Sequence, residues 1–199
     1  MKLVFASNNK HKLEEVRQIL SHEIEVLSLQ EIGFLQEIDE TGITLEENSV
    51  LKAEVVWSWI KEQDLSIIVD GVFADDTGLE IDVLGGAPGV RTARWAGEEA
   101  CDVNNRQKAL CELSGKKNRK ACFRTVISLI LSGELQQVEG VVNGTIAIAE
   151  EGEGGFGYDP IFIPEGYDRT FASLPAEVKN LISHRARAID ALKKILGKY

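Results

Sequence analysis

Two adjacent carboxylates, Asp75 and Asp76, are the side chains in this sequence with the clearest capacity for chemistry. They follow the apolar segment 72–74, which has the pattern of a strand, and they precede a Thr-Gly pair. Neighbouring carboxylates repel each other unless a cation joins them, and oxygen ligands favour Mg²⁺ or Mn²⁺. Glu40 is the candidate for a third ligand. Residues 75–78 are predicted to form a turn, because Asp-Asp-x-Gly commonly reverses a chain. The alternative to a metal site is that this is merely a surface turn.

A polar turn near the start of the chain is a candidate anion-binding site. Ser7, Asn8 and Asn9 follow a strand-like segment, and side chains of these types cap helices well. Lys10 and Lys12 then lie in the first turn of a predicted helix, where positive charge opposes the helix dipole. Two interpretations stay open: a solvated basic turn, or a site where an anion binds the helix N-terminus.

A glycine-rich loop near residue 156 carries two aromatic side chains. Phe156 and Tyr158 flank Gly157. An exposed aromatic ring beside a glycine offers a face on which a planar base can stack. The alternative is that both rings belong to the hydrophobic core.

Three basic side chains lie where two C-terminal helices are predicted to meet. At Lys179, an ammonium group can hold a phosphate, and the guanidinium of Arg185 can read a carbonyl oxygen; His184 lies between them in sequence. Taken alone, these residues indicate a basic surface patch. The histidine has no zinc-ligand spacing around it, and the chain lacks a GxxxxGK[ST] loop, which excludes P-loop chemistry.

Strands and helices alternate along the chain and must position these residues. Apolar periodicity predicts strands at 2–6, 24–29, 65–69, 72–74, 79–84, 120–131 and 136–149. It predicts helices from Leu13 to Leu20, from a cap at Thr44 to near Gln63, from 102 to 113, from Pro175, and after Ser183. Because helices and strands alternate first and a long hairpin through Ser132-Gly133 follows, this order favours an α/β protein with a mixed sheet.

The second predicted helix carries a capping box and a polar pair. Thr44 and Glu47 have the spacing of a capping box. Asn48 and Lys52 lie four residues apart and therefore share a helix face. That face lies either toward a cleft or, as is more common, toward solvent.

Composition excludes several classes of protein. The 199 residues include 32 acidic and 22 basic side chains, which gives a formal net charge of -10. Such a surface disfavours nucleic-acid or anionic-membrane binding, so any phosphate chemistry must be local. The length is typical of a single domain, 1–199. The three cysteines form no CxxC pair, which favours a reducing compartment. The apolar run at the N-terminus is too short for a signal peptide, so we expect a cytoplasmic protein.

Six short motifs, taken together in their order, resemble the inosine triphosphate pyrophosphatase family, also called the RdgB/HAM1 family of non-standard purine nucleoside triphosphatases. The similarity runs from about Lys2 to Ala188. The motifs are Ser7 to Lys12, Glu40-Thr41-Gly42 with Glu47-Asn48, Ala74 to Leu79, Gly86 to Gly89, Gly155 to Pro160, and Ser183-His184-Arg185.

The resemblance implies a mixed, strongly twisted central sheet flanked by helices, with two lobes and the active-site cleft between them. It implies a homodimeric, Mg²⁺-dependent hydrolase, with Mn²⁺ as a possible substitute. The reaction would split the bond between the α- and β-phosphates of ITP, dITP or XTP to give the monophosphate and pyrophosphate. A Maf-like nucleotide pyrophosphatase and a non-catalytic purine nucleotide sensor are the alternatives.

The resemblance also implies roles for individual residues. Glu40 and Asp76 would serve the metal, and Asp76 would accept a proton from water. Thr77 would lie near the substrate. The triphosphate would be wrapped by Ser7, Asn8, Asn9, Lys10, His11 and Lys12. The nucleotide pocket would contain Phe156, Gly157, Tyr158, Asp159, Lys179, His184 and Arg185.

Overall fold

The computed structural model describes residues 1–20, 24–97, 99 and 101–197. The strands in this part of the chain are β1 (Lys2–Phe5), β2 (Glu25–Ser28), β3 (Gly71–Ile81), β4 (Pro88–Gly89), β5 (Lys120–Leu131), β6 (Glu134–Ile146) and β7 (Phe162–Pro164). The α-helices are α1 (Lys10–Leu20), α2 (Leu45–Glu62), α3 (Asp102–Glu112), α4 (Ala176–Ile182) and α5 (His184–Leu196). Among the described residues, none of these helices combines the length and apolar character needed to cross a membrane.

The strands form a mixed sheet in the order β2-β1-β3-β5-β6-β7, with β4 paired to β3. β1 runs parallel to both of its neighbours, with Leu3 opposite Val26 on one side and Gly71 on the other. β4 pairs antiparallel with β3, and β7 pairs antiparallel with β6. Ser132 and Gly133, both with positive φ, connect β5 to β6. The predicted α/β class with a mixed sheet is confirmed.

The chain divides into two compact units. The first comprises Met1–Asp76, Thr125–Gly140 and Arg185–Tyr199, and the second comprises Thr77–Arg124 and Val141–His184. The strands β3, β5 and β6 each contribute residues to both units. That the whole chain acts as a single domain stays a prediction.

The first unit has hydrophobic clusters on both faces of its strands. Phe5 and Phe73 stack with ring centroids 5.0 Å apart and belong to the cluster formed with α1 and α5. Val4 and Val72, their neighbours in sequence, belong to the cluster formed with α2. Because successive side chains of a strand point to opposite faces, β1 and β3 supply both layers. The two faces of β3 therefore pack against different helices.

The second unit has its own core, built largely from aromatic rings. Phe123 lies 4.6 Å from Phe162 and 4.5 Å from the His184 imidazole, measured between ring centroids. Phe171 stacks on Phe162 at 5.4 Å. Helix α3 packs on this cluster through Ala109 and other apolar side chains. The second unit thus buries its own apolar surface.

The expected turn at 75–78 is wrong, because β3 continues through it from Gly71 to Ile81. Asp75 and Asp76 lie in the middle of this strand and are 1% and 7% exposed. Gly78 is also buried in the strand, where an added Cβ would lie 2.9 Å from the carbonyl oxygen of Gly89 on β4. The sequence Asp-Asp-Thr-Gly favours a turn when its carboxylates are solvated. Here basic side chains from helices neutralise the carboxylates, so the segment can be buried within a strand.

The expected strand at 65–69 is also wrong. Leu65–Ile67 forms a single 3₁₀ turn, and the N–H groups of Ile68 and Val69 both donate to the carbonyl oxygen of Leu65. Ile67 and Ile68 are 85% and 62% exposed. The apolar run mimics a strand, but its backbone hydrogen bonds are satisfied locally, within the connection from α2 to β3.

Gly71 marks a close approach of β3 to β5 and supplies a test of this packing. An added Cβ would overlap the carbonyl oxygen of Ile130 and lie 3.2 Å from Leu131 Cδ1. We expect Gly71→Ala to lower the free energy of unfolding by about 1 to 3 kcal/mol, the usual effect of overpacking, as measured by urea denaturation. Gly197→Ala is the control, because its Cβ would lie 3.4 Å from Lys193 O, an ordinary van der Waals contact. Equal stability of the two variants would contradict the close strand packing.

Candidate active site

The polar turn before α1 caps that helix. Asn9 accepts a hydrogen bond from the N–H of Lys12 through its side chain, at 3.1 Å, and from that of Leu13 through its carbonyl. The Ser7 hydroxyl accepts from the N–H of Asn9 at 3.2 Å. Asn8 to His11 are exposed, whereas Lys12 is only partly exposed. The predicted capping function of this turn is confirmed for Asn9.

Asp75 is the centre of a buried charge network in the first unit. Its Oδ1 accepts from Lys12 Nζ at 3.0 Å, and its Oδ2 accepts from Arg185 Nε and Nη2 at 3.1 and 3.0 Å. Arg185, 1% exposed, also donates from Nη1 to the Glu15 carboxylate. Four charges of alternating sign therefore connect α1, β3 and α5.

Asp76 faces a different set of partners. Lys52 Nζ lies 3.3 Å from Asp76 Oδ1 and 2.7 Å from Glu40 Oε1, so two carboxylates converge on one ammonium group. Asp76 and Lys52 are buried, whereas the Glu40 side chain is 35% exposed. Since Asp75 and Asp76 are successive residues of a strand, they point to opposite faces and meet different helices.

Asn48 connects Asp76 to the loop that carries Glu40. Its Nδ2 donates to Asp76 Oδ2 at 3.3 Å, and its Oδ1 accepts from the N–H of Gly42 at 2.8 Å. A Cβ at Gly42 would lie 2.6 Å from that oxygen. Asn48, like Lys52, is buried, so this helix face does not lie toward solvent.

Local sequence fixes the start of α2 and hence the direction of this face. The Thr44 hydroxyl accepts from the N–H of Glu47 at 3.1 Å, as the capping box predicts. The Glu47 carboxylate accepts a hydrogen bond from the N–H of Ile43 at 2.7 Å, one residue before the cap. The helix therefore begins at Leu45, and Asn48 and Lys52 occupy its inward face.

The two carboxylates of β3 have opposite pKa shifts. Burial alone would raise the pKa of Asp75, but the charges of Lys12 and Arg185 outweigh it and hold that pKa well below its ordinary value. For Asp76, burial and the nearby carboxylates of Glu40 and Asp75 raise the pKa against the opposing charge of Lys52. A carboxylate with a raised pKa is the better proton acceptor, so Asp76 is the candidate base.

The two lysines also differ. Burial lowers the pKa of Lys12, and the charges of Lys52 and Arg185 lower it further, against the attraction of Asp75. Burial lowers the pKa of Lys52 as well, but the carboxylates of Asp76 and Glu40 reverse the effect and raise it overall. Lys52 is therefore firmly held as a cation between these carboxylates.

In the second unit, Asp159 and Lys179 form a buried pair beside an aromatic ring. Lys179 Nζ lies 2.6 Å from Asp159 Oδ2, and the two residues are 5% and 3% exposed. The same oxygen accepts from the N–H of Phe156 at 2.8 Å. The Lys179 ammonium lies 4.8 Å from the centroid of the Phe156 ring. The structure thus brings together three of the residues expected in the nucleotide pocket.

The other expected pocket residues have different surroundings. Tyr158 is 3% exposed, belongs to the core and donates from its hydroxyl to Thr92 O at 2.9 Å, whereas Phe156 is half-buried. His184 is buried against Phe123. Thr77 is half-buried on β3. Of the two aromatic rings, only Phe156 keeps surface available for stacking.

Several site residues carry only a weak sequence signal. Glu15 is an ordinary glutamate in an amphipathic helix, and nothing in its spacing links it to Arg185. Asn48 and Lys52 are detectable as a polar pair at helical spacing, but their burial depends on packing between distant segments. Contacts of this kind are not encoded in local periodicity.

Comparison with known proteins places the chain in a family. Residues 3–195 match the sequence profile of the Ham1 family. A Porphyromonas gingivalis protein named dITP/XTP pyrophosphatase is 50% identical over 196 residues, which cover 98% of this chain and 97% of the relative. A Flavobacterium johnsoniae protein with the same name is 46% identical over 196 residues and 98% of both chains. The solved structure of a HAM1 protein from Coxiella burnetii matches with a TM-score of 0.87 at 36% identity, covering 100% of both chains.

The fold and the site together define a mixed α/β protein with a cluster of buried lysines and carboxylates. The chain belongs to the Ham1 family. The resemblance inferred from the six sequence motifs is confirmed.

Membership of this family implies a divalent metal cofactor, and the donor set fits one. Glu40 and Asp76 direct carboxylate oxygens at one cation, the Lys52 ammonium. Converging carboxylate oxygens are also the ligands that a hard metal cation requires. Within the described ranges, three or more His, Cys, Asp or Glu side chains nowhere form a metal-binding group. Two carboxylates suffice for Mg²⁺, which usually keeps water and substrate phosphate as its other ligands.

The Asp75 network gives a stability prediction. We expect Asp75→Asn to lower the free energy of unfolding by about 3 kcal/mol or more, because it leaves Lys12 and Arg185 with an uncompensated buried charge. Urea denaturation monitored by circular dichroism measures the change. Glu25→Gln is the matched control: its pair with Lys2 is half-exposed, and its loss costs about 1 kcal/mol or less. If both variants lose the same small amount, the buried network does not stabilise the first unit.

Proposed function

We propose that this protein is a nucleoside triphosphate pyrophosphatase that hydrolyses deaminated purine nucleoside triphosphates (ITP, dITP and XTP) to the monophosphate and pyrophosphate. The observation that carries the proposal is the position of Asp76. It is a buried carboxylate with a raised pKa, and it converges with the Glu40 carboxylate on the Lys52 ammonium. The names of the relatives support the same reaction.

The first unit acts on the triphosphate. The capped N-terminus of α1 and the Lys12 ammonium provide positive charge for the phosphate oxygens. Asp75 already holds Lys12, so the lysine needs little reorganisation to meet a phosphate. This arrangement would stabilise negative charge that develops on the phosphates during hydrolysis.

Asp76 is assigned as the general base. Its raised pKa suits it to accept a proton from the attacking water, and its place inside a strand fixes the direction of the carboxylate. Asn48 holds the second oxygen of Asp76 and links it to the Gly42 backbone. Lys52 keeps the position of the carboxylate without occupying both of its oxygens.

Mg²⁺ is the proposed cofactor, with Mn²⁺ as a substitute. Glu40 and Asp76 would hold it, and when bound it would supply charge neutralisation for the phosphates and activation of water. Asp75 is not assigned to the metal, because each of its oxygens already accepts hydrogen bonds from a basic side chain.

The second unit is assigned to the purine. The half-buried ring of Phe156 offers a stacking face, and the Lys179 ammonium is a donor beside it. A pocket that presents donors to the 6-keto oxygen rejects the 6-amino group of ATP, because its buried donors would be left unpaired. The family resemblance further supports a homodimer that works in the cytoplasm.

A substrate panel tests the proposed reaction. The protein is incubated with ITP, dTTP or ATP in the presence of Mg²⁺, and released pyrophosphate is assayed. We expect pyrophosphate from ITP, little from ATP and dTTP, and none after chelation with EDTA. Preferred cleavage of dTTP would support the Maf-like alternative, and binding of ITP without cleavage would support a sensor.

Asp76→Asn tests the base. We expect this variant to lose turnover by at least about 100-fold, the usual contribution of a general base, while part of the ITP binding measured by calorimetry is kept. Asp82→Asn is the control, because Asp82 is an exposed carboxylate just after the same strand. Full activity of the Asp76 variant would refute the assignment.

A further inference from the structure

Helix α3 holds both backbone polar groups of one residue in the aromatic loop, Gly157. Asp102 Oδ2 accepts from the N–H of Gly157 at 2.8 Å, and Arg106 Nη1 donates to the carbonyl oxygen of Gly157 at 2.9 Å. The two side chains lie four residues apart, so they share one face of the helix. Both contacts lie within the second unit.

Gly157 is the residue that follows the candidate stacking ring. Its φ of +61° lies in the left-handed region, where a side chain is disfavoured. The N–H of Phe156 itself is held by Asp159. The backbone around Phe156 is therefore fixed at two consecutive residues.

Arg106 is more deeply placed than a surface arginine that merely covers a loop. Its side chain is 12% exposed, and its Nε lies 3.1 Å from Glu150 Oε2. Burying a guanidinium costs desolvation. The charge of Glu150 and the bond from Nη1 to Gly157 O offset part of that cost, and within the described residues Nε itself makes an ion pair but no hydrogen bond. The helix itself is kept in place by other residues, because Asn105 donates to Ala93 O and accepts from the N–H of Ala96.

We propose that Asp102 and Arg106 are positioning residues for purine recognition, which hold the N–H and carbonyl groups of Gly157 so that the Phe156 ring is ordered before the nucleotide binds. The inference rests on the proposed function and deepens it. A loop that must be ordered during binding reduces affinity, and a loop that is already ordered avoids this cost. We call Asp102 and Arg106, with their contacts to Gly157, the clamp. Because the clamp orders the Phe156 ring, it should affect binding of the purine base and not binding of the triphosphate.

A positioning role of the clamp predicts that its loss changes KM but not kcat, whereas a general loss of structure would change both. We expect Arg106→Ala to raise the KM for ITP about tenfold, in line with the loss of a hydrogen bond from a charged group. We expect kcat to stay within about twofold of wild type, because the groups assigned to the phosphates are untouched. The inhibition constant of tripolyphosphate, which has no base, should not change.

Conservative variants test the geometry of the clamp. Asp102→Asn keeps an oxygen acceptor for the Gly157 N–H and should retain a KM near wild type, whereas Asp102→Ala should raise it. Arg106→Lys keeps a donor and should recover part of the affinity lost in Arg106→Ala. Lys108→Ala is the matched control on the same helix, because Lys108 donates to a different carbonyl, Trp95 O, at 2.8 Å.

A double-mutant cycle with Phe156→Leu decides whether the clamp acts through the ring. We expect Arg106→Ala to raise KM in the wild-type background and to have little further effect once the ring is removed. An equal rise in both backgrounds overturns the proposal, as does a parallel rise in the tripolyphosphate inhibition constant. An unchanged KM for Arg106→Ala in an active enzyme also overturns it.

Calorimetric binding of IMP separates this inference from the proposed function. If the wild-type protein binds IMP but cleaves no triphosphate, the proposed reaction fails, and weaker IMP binding by Arg106→Ala still supports the clamp. If ITP is cleaved and IMP binds the variant as tightly as wild type, only the clamp fails. A wild-type protein that neither cleaves ITP nor binds IMP overturns both.

Discussion

Compensation of two buried acids by basic side chains from three helices is the interaction on which the first unit depends. Asp75 and Asp76 lie inside a strand that apolar clusters cover on both faces. Unpaired carboxylates in such a place would be strongly destabilising. Lys12 of α1, Lys52 of α2 and Arg185 of α5 meet them, so the acids also specify how three helices pack on the sheet.

Strand geometry gives these two neighbouring acids different chemistry. Alternation sends Asp75 toward α1 and α5, where Lys12 and Arg185 lower its pKa, and sends Asp76 toward α2, where burial raises its pKa. Two acids on one face would compete for the same cation. On opposite faces, one can act as a permanent anion that anchors basic groups, and the other can exchange a proton.

The sequence predicts much of the fold but only part of the site. Apolar periodicity and the Thr44 cap locate α2 well, and Ser132-Gly133 identifies the hairpin, because these signals are local. The Asp-Asp-Thr-Gly segment is misinterpreted as a turn, since its burial depends on basic residues far away in sequence. Of those residues, Lys12 and Arg185 belong to the motifs of the family resemblance, whereas the burial of Lys52 and the role of Glu15 emerge only from packing.

The polar contacts in both units share one physical logic, which is that the groups proposed to meet a ligand are already held by other parts of the protein. Lys12 is held by Asp75, Lys179 by Asp159, and the backbone of Gly157 by α3. Under the proposed function, each contact would move ordering and desolvation costs from the binding step to folding. Because the stability of a folded domain is small, such costs can be met only where a well-packed core surrounds the charges. The aromatic rings beside Lys179 and the apolar clusters on both faces of β3 provide that support.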